Sequence, residues 1–216
     1  MVSLKRKDTY FIFDLDGTLA DTLRDIAKSV NFMLQKMNQT PKKIEDIKAA
    51  VGSGIHAVVR QLTDFQDESR IEKAVSLFRK HYEKHLLDNT LLYDGVKEFL
   101  GLPDVMASVI SNKPEIFTKK ICADLGILKN LDACFGGHGT FPHKPDRSGA
   151  AHIIDTFADG RTPVLVGDSA VDRETALNAH ILFCFARYGY ENNEVKKSLP
   201  ADFAIDSFRD MNKLFC

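Results

Sequence analysis

The stretch Tyr10-Phe11-Ile12-Phe13-Asp14-Leu15-Asp16-Gly17-Thr18-Leu19 decides how this chain is read. Its first four residues are an apolar run of aromatic and β-branched types, the pattern of a strand buried on both faces. The run stops at Asp14, Asp16 follows two residues later, and Gly17 marks a sharp turn. Burying an unpaired charge is costly, so two carboxylates at the end of a buried strand need partners. In an open α/β sheet, ligands sit at the carboxyl ends of the strands. Asp14 and Asp16 are therefore expected to face a crevice holding a cation, a phosphate or both. Taken alone, D-x-D-G is also an ordinary turn sequence, because Asp and Gly favour turns. The rest of the chain must supply the partners.

Two kinds of organisation follow. From residue 21 to about residue 89 the periodic segments are all helical. Ala20-Asp21-Thr22 offers a hinge and an N-cap. Leu23, Ile26, Ala27, Val30, Met33, Leu34 and Met37 then follow helical spacing. Residues 38–41 end that helix, and 44–50 predict a short second one. Val51-Gly52-Ser53-Gly54 is a turn opening a third, with Ile55, Val58, Val59 and Leu62 on one face. A polar break at 64–68 precedes a fourth helix that turns Ile71, Ala74, Val75, Phe78, Tyr82 and Leu86 inward. No convincing strand interrupts this block.

Beyond residue 90, strands alternate with helices. Apolar runs at 105–110, 133–135, 164–166, 181–185 and 203–205 predict strands, the last at an edge. Helices are expected after Gly95, after Lys113-Pro114, over 150–157 and over 173–178, with Pro114 at the first helical position and Gly126 closing its helix. Such alternation predicts an α/β fold, a doubly wound parallel sheet of Rossmann-like type. The first strand belongs to the same sheet. The expected domains are a core of residues 1–20 and 90–216 and an inserted four-helix cap of residues 21–89.

Several strands end in residues suited to phosphoryl transfer: Asp14 and Asp16, then Ser111 and Asn112, then Asp168 and Ser169, with Asp172 a helical turn further on. Lys144 sits in a loop between. A parallel sheet brings these ends to one rim. Carboxylates gathered there repel one another unless a divalent cation intervenes, and hard oxygen ligands suit Mg²⁺.

The string Phe13 to Leu19 resembles the first motif of the haloacid dehalogenase-like superfamily of phosphohydrolases. Ser111 matches the second motif, Lys144 the third, and Gly167-Asp168-Ser169-Ala170-Val171-Asp172 the fourth, G-D-x-x-x-D. The resemblance runs from Tyr10 to about Asp206. It implies Asp14 as nucleophile, Asp16 as general acid/base and Lys144 as a charge-offsetting catalytic group. It also implies Thr18, Ser111 and Asn112 around the phosphate, Mg²⁺ on Asp14, Asp16 and Asp168, and Asp172 orienting the metal shell or Lys144. An Asp at position 16 argues against the dehalogenases, which usually lack a carboxylate there. The helical insertion resembles the cap of small-molecule phosphatases, and Val51 to Gly54 looks like the cap loop of phosphoglycolate phosphatases, placing Gly52, Ser53 and Gly54 against substrate. His56, Arg60, His138 and His143 are further candidates near the entrance. Arg147, His138 and His180 depart from that group, which usually has a proline, an acid and a glycine there.

The totals agree. A hydrophobic fraction of 44% over 216 residues supplies a sizeable core. A net charge of -1 gives no global pull toward nucleic acid or membrane. No apolar run approaches a membrane span, and basic Met1 to Lys7 lead into no secretory segment, so a cytoplasmic location is expected. Cys122, Cys134, Cys184 and Cys216 lack metal or disulfide spacing and read as free thiols. His81 and His85 have the spacing of a metal pair but read as a solvated helix face. The expected activity is Mg²⁺-dependent hydrolysis of a small phosphate monoester, phosphoglycolate first, by a monomer or dimer. A phosphosugar mutase and a non-enzymatic phosphate-binding regulator are the alternatives.

Overall fold

The computed structural model describes residues 4–216. Its elements run β1 (Thr9–Phe13), β2 (Ala20–Asp21), α1 (Leu23–Lys36), α2 (Ile44–Lys48), α3 (Ile55–Leu62), α4 (Glu68–His85), β3 (Leu91–Leu92) and α5 (Val96–Leu100). They continue with β4 (Met106–Pro114), α6 (Glu115–Asp124), β5 (Ala133–Gly137), α7 (Ser148–Phe157), β6 (Thr162–Gly167) and α8 (Ala170–Asn178). The chain closes with β7 (Leu182–Ala186), α9 (Asn193–Ser198), β8 (Phe203–Ile205) and α10 (Met211–Leu214).

Six strands form one parallel sheet in the order β5-β4-β1-β6-β7-β8. The chain moves outward from β1 through β4 to β5, then returns to the other side of β1 with β6. That reversal puts a crevice at the carboxyl ends of β1 and its neighbours. All five residues of β1 are fully buried. Their side chains alternate between faces, as strand geometry requires. Phe11 and Phe13 join the larger core with Phe99, Phe208 and Phe215, while Tyr10 and Ile12 pack with Ile153 and Leu165. No helix among the described residues is long and apolar enough to cross a membrane. All four cysteines are free.

The helices α1 to α4 leave and rejoin this sheet through a two-stranded antiparallel ribbon, Ala20 opposite Leu92 and Asp21 opposite Leu91. The ribbon sits at the two borders of the all-helical block read over residues 21–89, and its two-residue strands are too short to carry periodicity. Beside the ribbon, Asp25 is wholly buried. Its carboxylate accepts from the Asn89 backbone and side-chain amides and from the Thr90 backbone amide and hydroxyl, at 2.6–2.9 Å. This clasp ties the start of the insertion to its end.

Boundaries shift where side chains cap the backbone. Helix α4 begins at Glu68, inside the expected polar break, because the Asp67 carboxylate accepts from the Ser69 amide. Pro114 is the last residue of β4, not the first of α6; its ψ of 133° is extended and the strand shifts register after Ile110. Thr22 stands at the N-cap of α1 but its side chain caps nothing. Helix α8 starts at Ala170, three residues early, on a capping box between Ser169 and Asp172.

Replacing Asp25 with Ala strands four donors at once, the two of Thr90 buried and the two of Asn89 half-buried. The expected loss is about 3 kcal/mol of unfolding free energy, read from urea denaturation; a loss near zero means the clasp is not holding the insertion.

Candidate active site

The carboxyl end of β1 delivers Asp14, whose amide continues the sheet ladder to Val166 O at 2.9 Å. The end of β6 delivers Asp168, and the capping box of α8 fixes Asp172. Gly17, at φ 81°, takes the turn that follows Asp14, and any Cβ there runs into the Asp168 carboxylate. Ligand oxygens of Asp14, Asp168 and Asp172 all lie within 4.8 Å of one another, and all three residues are buried. Among the described residues this is the one such group of three or more His, Cys, Asp or Glu side chains. His81 is elsewhere, bonded through Nδ1 to Ser29 Oγ at 2.9 Å and stacked between Phe32 and His85.

Lys144 enters this cluster as the balancing cation. Its Nζ lies 2.8 Å from Asp14 Oδ1 and donates to Asp172 Oδ1 at 2.6 Å. Asp172 uses its other oxygen to accept from the Ser169 amide and hydroxyl. Asp168 accepts from the Tyr190 amide and, at 3.4 Å, from the Thr18 hydroxyl. Thr18 thus steadies a carboxylate in this arrangement. The contact between Lys144 and Asp14 is an ion pair without hydrogen-bond alignment. Asp14 Oδ1 is therefore buried with no hydrogen-bond donor.

Asp16 is turned away from this group. Lys113 Nζ donates to both of its oxygens at 2.9 and 3.0 Å, and the Thr22 hydroxyl donates to Oδ1. Its side chain is therefore absent from the triple-Asp cluster, where the sequence reading had put it. Ser111 is buried beside it, with Oγ accepting from the Lys113 amide at 3.3 Å. The Asn112 amide donates to Gly52 O and Lys144 O, and its oxygen accepts from the Lys144 amide at 2.7 Å. Asn112 thus joins the 52–54 loop to Lys144 and spends its polar atoms on that task.

The electrostatics follow from burial. Desolvation is the largest effect on Asp14 and, with the charges of Asp172 and Asp16, outweighs the help of Lys144, raising its pKa from 3.8 to about 6. Asp168 is pushed well above the carboxylate range by burial and by Asp172 and Asp14. Burial opposes the charge on Lys144, yet Asp14 and Asp172 outweigh it and hold the ammonium charged. Three buried carboxylates face one ammonium, and one oxygen lacks a donor. A divalent cation with hard oxygen preference fits that deficit on Asp14 and Asp168.

Around the entrance, Gly52 and Gly54 line the cleft over Asp14, while Ser53 is exposed and does not. His56 pairs with Glu72 at 2.9 Å and Arg60 with Glu68 at 2.8 Å. The His138 ring lies 5.5 Å from that of His56 and 4.9 Å from that of His143.

Residues 11–186 match the family model described as haloacid dehalogenase-like hydrolase. The chain belongs to this family. A phosphoglycolate phosphatase of Nitrosospira multiformis is 31% identical over 94% of this chain and 93% of its own length. One from Chromobacterium violaceum is 32% identical over 94% of each chain. The crystal structure of a predicted phosphoglycolate phosphatase from Haemophilus somnus superposes with a TM-score of 0.86 at 25% identity, covering 99% of this chain and 98% of that one. Within the haloacid dehalogenase-like hydrolases, then, the chain resembles the phosphoglycolate phosphatases.

Three residues of this family member's site escaped the sequence reading. Lys113 was read only as the start of a helix, yet it is 8% exposed and holds Asp16. Its signal was a lysine two places after Ser111 within a strand. Tyr190 accepts from the Thr22 and Leu23 amides with its hydroxyl while its own amide binds Asp168. No local pattern announces that bridge of 22 residues along the chain. The third is Tyr82, read correctly as inward-facing but without a polar role.

Because the folded chain holds a proton on Asp14 that the unfolded chain releases, the Asp14 contribution to stability falls as pH rises from about 4 to about 6. In chelator at pH 7, Asp14→Asn should therefore be as stable as the parent or more so, by about 1–3 kcal/mol, with the gap closing near pH 4. Adding Mg²⁺ should raise the melting temperature of the parent more than that of the variant. A large destabilisation by Asp14→Asn in chelator contradicts the charge imbalance.

Proposed function

We propose that this chain is a Mg²⁺-dependent phosphatase that hydrolyses a small phosphate monoester, phosphoglycolate first, by way of a phosphoryl group carried on Asp14. The chain is a phosphoric monoester hydrolase, the class to which its relatives' names point. The observation that carries the finer reading is Asp14 Oδ1: a buried carboxylate oxygen at a strand end, without a donor, beside Lys144 and Asp168.

The roles divide by what each group already contacts. Asp14 attacks phosphorus, and the bond to the leaving oxygen breaks. Asp16, held at rest by Lys113 and Thr22, must first take up a proton from solvent in place of the Lys113 contact; it then gives that proton to the leaving oxygen and takes one back from the attacking water. The water attacks phosphorus, releases inorganic phosphate and restores Asp14. Lys144, aimed by Asp172, offsets the negative charge between nucleophile and phosphate. Ser111, which lines the same cleft as Asp14, would donate to a phosphate oxygen. Asp14 and Asp168 would hold Mg²⁺, which supplies a further positive charge to the transferring group. Residues 21–89 act as a cap over a core of residues 1–20 and 90–216. The Tyr190 hydroxyl and the Asn112 amide link that cap to the catalytic rim. Cap closure excludes water from the cleft.

Asp14→Asn should lower kcat by at least about 1000-fold, and chelation should abolish a turnover that Mg²⁺ restores. Release of inorganic phosphate from phosphoglycolate measures both. Full activity in the variant or in chelator contradicts the mechanism.

A further inference from the structure

The cleft beside Asp14 has a lining of two kinds. Asp14, Asp16 and Ser111 line one side. Asn112 and Lys113 also line it, and most of the remaining wall is apolar: Ile26, Val51, Ile55, Val58, Phe78 and Phe117, drawn from both the insertion and the sheet side. Such a wall offers nothing to the hydroxyl groups of a polyol, and burying those without partners is costly.

One polar atom stands out in that apolar part. Tyr82, on α4, lines the cleft and is 1% exposed. Its ring is fixed by stacking on Phe78 at 5.2 Å and by an edge contact with Phe117 at 5.4 Å. Its hydroxyl has no aligned hydrogen-bond partner: the Lys113 ammonium is close enough to act on it but donates to both Asp16 oxygens. Burial pushes its pKa up to about 12, so it remains a donor at any working pH. The Lys113 ammonium lies 4.7 Å from the centre of the same ring. A buried hydroxyl left without a partner is unfavourable until a ligand oxygen reaches it.

Resting on the phosphatase reading above, we propose that Tyr82 is the specificity-determining residue of the cleft. Its hydroxyl donates to a carboxylate oxygen of a short phosphorylated hydroxy acid, Lys113 adds the nearby positive charge, and the apolar wall turns away phosphorylated sugars. A site that donates to one substrate oxygen discriminates strongly against an analogue lacking it. The reading also separates this chain from sugar-phosphate enzymes, since a sugar bisphosphate needs several partners along its ring.

The test compares phosphoglycolate, ethyl phosphate and glucose 6-phosphate with Mg²⁺. Ethyl phosphate keeps the two carbons and removes the carboxylate. The parent should prefer phosphoglycolate to both in kcat/KM. Tyr82→Phe, which removes only the orphan oxygen, should lower the ratio of phosphoglycolate to ethyl phosphate about tenfold, chiefly through KM. An equal fall for both esters, an unchanged ratio, or a parent that prefers glucose 6-phosphate overturns the proposal. If no ester is turned over, the phosphatase reading itself fails. Calorimetry with glycolate then decides the pocket: binding to the parent and at least about tenfold weaker binding to Tyr82→Phe supports it, and equal or absent binding overturns it.

Discussion

Too much negative charge is packed at the carboxyl end of one buried strand, and much of the site is arranged around that fact. Asp14, Asp168 and Asp172 meet within 4.8 Å where water is excluded, and Lys144 is the one ammonium shared between two of them. Each remaining oxygen is provided for in turn: Asp172 by the first turn of its own helix, Asp168 by Tyr190 and Thr18. Asp14 Oδ1 has no aligned donor and relies on the Lys144 ammonium 2.8 Å away. Buried charges persist only when paired, so this leftover oxygen marks where chemistry is expected. Preorganised charge of this kind lets an anionic nucleophile meet an anionic phosphate.

The same residues that settle the charges also tie the insertion to the sheet. Tyr190 holds Asp168 with its amide and the first amides of α1 with its hydroxyl. Thr22 leaves its helix uncapped and donates to Asp16 instead. Asn112 reaches the 52–54 loop with one hydrogen and the Lys144 backbone with the other side of its amide. The helices over the cleft are thereby bonded, directly or through one residue, to Asp16, Asp168 and Lys144. Asp25 closes the insertion where the chain leaves and re-enters the sheet, accepting from the Asn89 and Thr90 amides.

The fold was legible wherever apolar periodicity ran for several residues. Tyr10 to Phe13 reads as a central strand because nothing in it is polar, and the alternation after residue 90 leads to the parallel order. The ribbon at 20–21 and 91–92 is too short to carry a pattern, and the early starts of α4 and α8 depend on caps at Asp67 and Ser169. The S-x-x-D spacing of Ser169 and Asp172 was visible in principle, but its metal-site look masked its capping role. Candidate site residues were legible by type and order: Asp14, Lys144, Asp168 and Asp172 converge. What no one-dimensional reading supplies is direction. Whether Asp16 joins that group or turns to Lys113, and whether Asn112 faces ligand or backbone, is decided by packing between distant segments.

Asp14 and Asp168 are proposed to share one divalent ion at the end of β1. Crystals grown with Mn²⁺ in place of Mg²⁺ test it directly through anomalous scattering. A single strong peak is expected between the Asp14 and Asp168 carboxylates, lost in crystals of Asp168→Asn. A Mn²⁺-saturated protein with no peak there, or with its ion bound elsewhere, contradicts it.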